Sequence, residues 1–123
     1  MGKYTGSLKD IPLHQASGPT MEKRIVFSPE VNDWPGHVVR YFTIKAGTGN
    51  PLHRHDWPHW GLILKGNATG VVDGETFHME EGGWFYIPPK VTHRFQAGDQ
   101  DFHFICMVPE EGDRLPVTLV EQP

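Results

Sequence analysis

Glycine and proline interrupt this sequence so often that no long stretch with helical periodicity remains between them. Fourteen glycines and eleven prolines are spread along 123 residues rather than gathered in one tract. This distribution indicates turns between short strands, and Asp73-Gly74, between "TGVV" and "ETFHM", is a strong signal for a two-residue hairpin. The sequence therefore predicts an all-β sandwich or barrel with little helix.

Short strands are predicted wherever apolar residues alternate or cluster between two turn signals. They cover Lys23 to Ser28, His37 to Ala46, His53 to Lys65, Thr69 to Asp73, Glu75 to Met79, Trp84 to Ile87, Thr92 to Gln96, Phe102 to Val108 and Pro116 to Val120. We expect one domain over residues 1–123, because this length suits a single core. Its core is expected at about 36–110, flanked by an N-terminal arm and a C-terminal tail.

Charge and hydropathy argue against several classes of function. The net charge is −4 with neutral histidines, and the acidic residues are dispersed, so nothing resembles a nucleic-acid-binding patch. No apolar run approaches a membrane span, and the first ten residues lack the apolar core of a signal peptide. The single cysteine, Cys106, is compatible with a reducing compartment. We expect a cytoplasmic protein without nucleic-acid or membrane partners.

Three of the eight histidines lie within seven positions of the apolar stretch "PLHRHDWPHWGLILKG". Alternate residues of a strand share a face, so His53 and His55 point the same way. His59 has the same parity, although Pro58 interrupts the strand, and His93 opens a distant strand. Imidazoles in an apolar setting need partners for their nitrogens, and such a cluster indicates a transition-metal site.

The first three histidines lie in a motif that resembles one of the cupins, which are small β-barrels. That motif is Gly, five residues, His-x-His, three or four residues, Glu, six residues, Gly. Here Gly47 is followed by five residues, then by His53 and His55, and the stretch closes on Gly66. His59 stands where the family has glutamate.

The fourth histidine lies in a stretch similar to the second cupin motif, which is Gly, five residues, Pro-x-Gly, two residues, His, three residues, Asn. Here it begins at Gly82, continues through Pro88 and His93, and has Lys90 in place of glycine and Ala97 in place of asparagine. These last two departures are expected to affect loop geometry alone. The resemblance covers about residues 41–108 and implies a cupin barrel, a double-stranded β-helix or jelly roll.

The histidine in place of glutamate makes the sequence resemble small stand-alone cupins with a four-histidine site. The resemblance implies one divalent transition-metal ion per chain, with manganese or iron favoured and nickel, copper or zinc as alternatives. The expected metal ligands are His53, His55, His59 and His93. Four neutral imidazoles leave a divalent site at +2 rather than the +1 of a carboxylate-containing site. The extra charge favours anionic ligands and disfavours higher oxidation states.

Strand parity and the cupin resemblance together predict further residues around the ion. The pocket candidates are Arg40, Ile63, Phe95, Phe104 and Cys106. Arg40 could bind a substrate carboxylate or phosphate, or it could form an ion pair outside the barrel. Cys106 could be a thiol beside the metal ligands or a small buried apolar residue. His14, His37, His78 and His103 are interpreted as structural histidines, and Asp56 as a capping or turn residue.

Outward-facing side chains predict a homodimer. If His59 faces inward, Trp60, Leu62 and Leu64 face outward, and such an apolar stripe is unfavourable in water. Similar cupins cover this face with a second subunit. The alternative is that the N-terminal arm covers the stripe within one chain.

The leading functional hypothesis is a metal-dependent oxidoreductase of dioxygenase type that acts on a small organic substrate, with an anionic substrate as one option. No general base, Ser-His-Asp pattern or phosphate loop accompanies the motifs, so catalysis has to use the metal. One alternative is a non-redox isomerase or lyase in which the ion is a Lewis acid. Another is a non-catalytic module that binds a small molecule or a metal.

Overall fold

Two antiparallel sheets form the fold in the computed structural model, which describes residues 4–15, 19–114 and 117–120. The strands are β1 (Leu13–Gln15), β2 (Met21–Phe27), β3 (His37–Ile44), β4 (His53–Arg54), β5 (His59–Lys65), β6 (Asn67–Val72), β7 (Glu75–Glu80), β8 (Trp84–Ile87), β9 (His93–Ala97), β10 (Phe102–Pro109) and β11 (Thr118–Leu119). One sheet has the order β1-β2-β3-β10-β5-β8 and the other β11-β4-β9-β6-β7. The prediction of an all-β cupin barrel is confirmed.

Helix is sparse in the part of the chain that the structure describes. A 3-10 turn covers Leu8–Asp10, and the short helices are α1 (Pro29–Asn32) and α2 (Glu110–Arg114). Ser28 caps α1, because its Oγ accepts a hydrogen bond from the backbone N–H of Val31 at 3.1 Å. None of the described helices is long and apolar enough to span a membrane.

The hairpin between β6 and β7 has the turn that its sequence predicts. Asp73 and Gly74 have φ values of 51° and 78°, and the flanking Val72 and Glu75 are paired across the two strands. Positive φ at both central residues is typical of a type I′ turn, whose twist matches that of the strands. The local Asp-Gly signal therefore sets the register of this hairpin.

The prediction of one continuous strand from His53 to Lys65 is wrong. The chain bends at Asp56 and Trp57, so β4 pairs with β9 in one sheet, whereas β5 pairs with β10 and β8 in the other. Pro58 follows the bend and has no N–H to donate to a strand ladder. The histidines before and after the bend therefore come from opposite sheets.

The core lies between the sheets, and β10 shows its pattern most clearly. Phe102, Phe104, Cys106 and Val108 are each at most 2% exposed, and the residues between them are half-buried on the outer face. The rings of Phe95 and Phe104 meet edge to face, with centroids 5.5 Å apart. Complete burial of one such ring stabilises the fold by about 1.5–3 kcal/mol. The alternation predicted for this strand is confirmed.

The flanking segments extend the sheets beyond the expected core. β1, which the sequence did not predict, pairs with β2, and β2 brings the buried Met21 into the core. Two residues of the predicted last strand, Thr118 and Leu119, pair with β4, whereas Pro116 lies outside the described residues. At α2, a Cβ on Gly112 would lie 2.6 Å from Trp57 Cδ1, so the tail packs tightly against the bend.

Candidate metal centre

Three histidines meet at the end of the five-stranded sheet. His53 of β4 is the register partner of His93 of β9, and their ring centroids lie 4.2 Å apart. His55 follows β4, and its ring centroid is 4.9 Å from that of His93. One potential ligand atom from each of the three lies within 4.8 Å of the other two. This triad could hold a metal ion.

The fourth histidine approaches the triad from the opposite sheet. His59 begins β5, and its ring stacks on that of His55 with centroids 4.3 Å apart and an interplanar angle of 11°. Its ring centroid is 5.4 Å from that of His93. It is not part of the group whose ligand atoms lie within 4.8 Å of one another. The four-histidine ligand set therefore stays a prediction.

Backbone carbonyls orient the three rings of the triad. The Nδ1 atoms of His53, His55 and His93 lie 2.8 Å from Pro51 O, 2.7 Å from Trp57 O and 2.9 Å from Val91 O, respectively. A carbonyl can only accept, so each Nδ1 carries the proton and each Nε2 keeps its lone pair. The Nε2 atoms of His55 and His93 are buried without a hydrogen-bond partner. Such orphaned acceptors fit a bound metal ion.

A side chain, not the backbone, orients His59. Its Nδ1 lies 3.1 Å from the sulfur of Cys106, which is fully buried, and Arg40 Nη2 donates to the same sulfur at 3.2 Å. If His59 offers Nε2 to an ion, its Nδ1–H has to donate to this sulfur. Cys106 therefore lies behind the cluster and contacts one of its members.

Burial keeps the four rings neutral. Desolvation lowers the pKa of His55 to about 4 and that of His93 to about 3, against an ordinary value of 6.5. The pKa values of His53 and His59 are also lowered, first by burial, with the positive charge of Arg40 adding to the effect. Neutral imidazole is the form that binds a metal, so the cluster is in the competent form at neutral pH.

A cavity of about 290 Å³ adjoins the cluster. The four motif histidines line it together with the predicted pocket residues Arg40, Phe95 and Phe104. The other two candidates are not among its lining residues: Ile63 is buried in the core, and Cys106 lies behind His59. No aspartate, glutamate, lysine or tyrosine is among the described residues that line it.

Sequence reasoning missed the role of Trp57. Its ring stacks on His55 with centroids 4.6 Å apart and an interplanar angle of 5°, and its carbonyl accepts from the same histidine. The signal was its place between the paired histidines and His59 in "HRHDWPHW". Asp56 beside it is exposed at the bend, where its short polar side chain suits a turn.

Lys90 occupies a backbone conformation that suits the glycine of the cupin motif. Its φ is 69°, in the left-handed region that side chains other than glycine enter at a cost. Its backbone N–H donates to His55 O at 2.7 Å. The departure from glycine therefore strains a loop that contacts the backbone of a cluster residue.

Two of the four histidines outside the motifs contact side chains away from the cluster, and the structural roles of His14 and His78 stay predictions. His103 Nδ1 lies 2.7 Å from Tyr41 Oη and 3.1 Å from Thr43 Oγ1 on the outer face of the six-stranded sheet. His37 stacks on Trp34, with ring centroids 5.4 Å apart. Neither residue lines the cavity beside the cluster.

Comparisons with known proteins agree with this architecture. Over residues 40–108 the sequence matches the family described as "Cupin domain". A 1-methylthio-D-xylulose 5-phosphate methylsulfurylase of Rhodospirillum rubrum is 32% identical over 77 residues, which are 62% of this chain and 49% of that protein. The chain thus matches about half the length of this curated relative.

Two solved structures share the fold over nearly the whole chain. A cupin-2 domain protein of Rhodospirillum rubrum has a TM-score of 0.79 and 25% identity, covering 96% of this chain and 80% of that one. The polyketide cyclase RemF from Streptomyces resistomycificus has a TM-score of 0.83 and 22% identity, covering 97% of this chain and 86% of that one. At this identity the second likeness shows the fold alone. With the two motifs, the paired sheets and the matched region, this chain belongs to the cupin family.

Proposed function

We propose that this chain is a metal-dependent enzyme that holds one divalent transition-metal ion on His53, His55, His59 and His93 and acts on a small organic substrate. One observation carries the metal site: the buried Nε2 atoms of His55 and His93 have no partner, and both residues belong to the triad. Manganese or iron is the preferred ion, and imidazole also suits nickel, copper and zinc.

The first candidate reaction is that of an oxidoreductase of dioxygenase type. When bound, the ion would supply redox or Lewis-acid chemistry. The described lining residues include no carboxylate, lysine or phenol to serve as a general base, so side-chain proton transfer has little support. Phe42, Phe95 and Phe104 line the cavity with apolar surface that excludes water and positions an organic substrate.

The second candidate is a non-redox isomerase or lyase in which the ion would be a Lewis acid, although the name of the curated relative specifies neither of these reactions. That protein is a methylsulfurylase, and its name specifies a methylthio derivative of xylulose 5-phosphate. Four neutral ligands also leave the ion at +2, which strengthens a Lewis acid and disfavours oxidation. A third outcome is a binding module without turnover.

Oxygen uptake separates these candidates. Protein loaded with iron, manganese or zinc would be tested on enol, diketone and catechol-like compounds, with and without oxygen, and His93→Gln would serve as the metal-site control. Uptake that needs iron or manganese and is lost in the variant supports the dioxygenase. Turnover with zinc and without oxygen supports the isomerase or lyase. Stoichiometric metal without any turnover supports the binding module.

We also propose that two copies pair through the outer face of the six-stranded sheet. Trp60, Leu62 and Leu64 are 42%, 52% and 38% exposed, and Trp84 and Tyr86 of the edge strand β8 continue this apolar surface. β1 and β2 lie at the opposite edge of the sheet, so these two strands of the N-terminal segment do not cover it. Exposed apolar surface of this kind is typical of an interface.

Light scattering after gel filtration tests the dimer. Leu62→Glu is expected to give a monomer, because it places a charge in the centre of the apolar face. Phe77→Glu is the matched control, since Phe77 is 47% exposed on β7 of the other sheet. A monomeric parent protein would contradict the proposal.

A further inference from the structure

One charged side chain lines the cavity without a close anionic partner. Arg40 is only 7% exposed, and it lines the same cavity as the histidine cluster. Its Nη2 donates to Cys106 Sγ at 3.2 Å, and its Nε is buried without a hydrogen-bond partner. Sulfur is a weak acceptor, so most of the donor capacity of this guanidinium is unused.

The nearest carboxylate leaves Arg40 largely uncompensated. Asp113 of α2 lies 2.7 Å from Lys23 Nζ but 3.8 Å from Arg40 Nη1, so its closer partner is the lysine. Asp113 does not line the cavity, and the described residues that do line it include no acidic group. A buried cation without a matched anion is unfavourable, so this position favours an anionic ligand.

The contacts of Arg40 fix where such a ligand would bind. The guanidinium carbon lies 4.9 Å from the centroid of the Phe42 ring, and the sulfur of Cys106 joins Arg40 to His59 through two contacts of 3.2 Å and 3.1 Å. The ring and the sulfur therefore hold the guanidinium beside the cluster. A molecule that contacts Arg40 at one end can reach the histidines at the other.

We propose that Arg40 binds an oxyanion group of the substrate, a carboxylate or a phosphate, and that this site therefore selects small organic anions. This inference rests on the proposed function, because it assigns the substrate class of the same cavity. The planar guanidinium presents paired N–H donors whose spacing matches carboxylate and phosphate oxygens. Arg40 is then the specificity-determining residue, and Cys106 positions it.

Calorimetric titration of the metal-free protein tests Arg40 separately from the ion. The probes are inorganic phosphate and acetate, titrated at pH 7.5, and the tighter probe identifies the oxyanion class. Arg40→Gln is expected to weaken binding at least tenfold, and Arg40→Lys to weaken it less, because lysine keeps the charge without the paired donors. Lys65→Gln removes the same charge from the exposed end of β5 and should change the affinity less than twofold. Equal affinities for the parent and Arg40→Gln would overturn the inference.

A second variant keeps the test decisive if Arg40→Gln does not fold. Asp113→Asn removes the carboxylate that lies 3.8 Å from Arg40, and we expect it to tighten anion binding at least threefold; an unchanged or weaker affinity would count against Arg40. Elemental analysis of metal-loaded samples runs in parallel. Anion binding that depends on Arg40, in a protein that binds no metal, would contradict the proposed function but support this inference. Metal binding together with an unchanged anion affinity in both variants would support the proposed function and contradict this inference.

Discussion

The triad and the fourth histidine are held in place in different ways. His53, His55 and His93 each donate from Nδ1 to a backbone carbonyl two residues away, whereas His59 contacts the sulfur of Cys106, 47 residues further along the chain. A local backbone contact forms whenever the loop has its native conformation. A contact between two strands also needs the correct side chain at a distant position. The orientation of His59 is therefore more open to change than that of the triad.

The two parts also differ in how they depend on the fold. His53 and His93 are direct partners in one sheet, so the ladder sets their separation. His59 comes from the opposite sheet, so its distance from them depends on how the core fills the space between the sheets. A cupin of this kind can thus keep a three-histidine site while it adjusts the fourth ligand.

Lowering the pH should have the largest effect on stability, and it should affect the triad and His59 together. Burial lowers the pKa of His55 to about 4 and of His93 to about 3, against 6.5 for an exposed histidine. Between these values the unfolded chain binds protons that the folded chain does not, so the free energy of unfolding falls as the pH falls. One pKa unit corresponds to about 1.4 kcal/mol, so the metal-free protein should lose several kcal/mol between pH 7 and pH 4. Urea unfolding at each pH measures this loss.

The same titration carries its own control. His93→Gln removes one of the titrating groups. The slope of the free energy of unfolding against pH should therefore correspond to about one proton fewer per chain. A parent protein with the same stability at pH 7 and pH 4.5 would show that the rings are not buried as neutral groups.

Ligand replacement should separate the triad from His59. We expect His93→Gln to weaken metal binding by more than about 100-fold, beyond the range typical of residues that only support a ligand. His59→Gln should cost about 10- to 100-fold, because the triad remains complete. Competition with a chelator measures both affinities, and circular dichroism checks that both variants fold. Equal losses of metal affinity in the two variants would mean that the four rings act as one set, and that His59 does not differ from the triad.

The difference between His59 and the triad should show most directly when the residues that orient their rings are replaced. Cys106→Ala removes the acceptor for His59 Nδ1, and we expect about a tenfold loss of metal affinity. Pro51→Ala is the matched change in the triad: the carbonyl that accepts from His53 remains, so the affinity should change less than twofold. Cys106→Ser should recover part of the loss, because a hydroxyl oxygen can accept the same hydrogen bond. If Cys106→Ala binds metal as tightly as the parent, the sulfur does not position His59.

The sequence predicts the parts of this site that depend on local rules. Alternation along β10 identifies its buried face, Asp73-Gly74 identifies a hairpin, and the spacing of the histidines identifies a cluster. The sequence does not show that the chain changes sheets between His55 and His59. Pro58 marks the interruption, but which sheet each half joins depends on pairing with β9, β10 and β11, which are distant in sequence. For the same reason parity places Cys106 inside the barrel but does not identify its two partners.

Lys90 offers the test with the smallest expected effect, and it concerns the triad, whose rings are oriented by backbone carbonyls. Its side chain plays no part in the contact with His55, which runs from the backbone N–H of Lys90 to the carbonyl of His55. Lys90→Gly should relieve the strain of a positive φ and raise the free energy of unfolding by about 0.5–1 kcal/mol, while the metal affinity changes less than twofold. Lys90→Ala is the control, because it removes the amine and keeps the strain, so neither quantity should improve. A fivefold loss of metal affinity in both variants would mean that the lysine side chain supports the cluster, and the triad would then depend on side chains as His59 does.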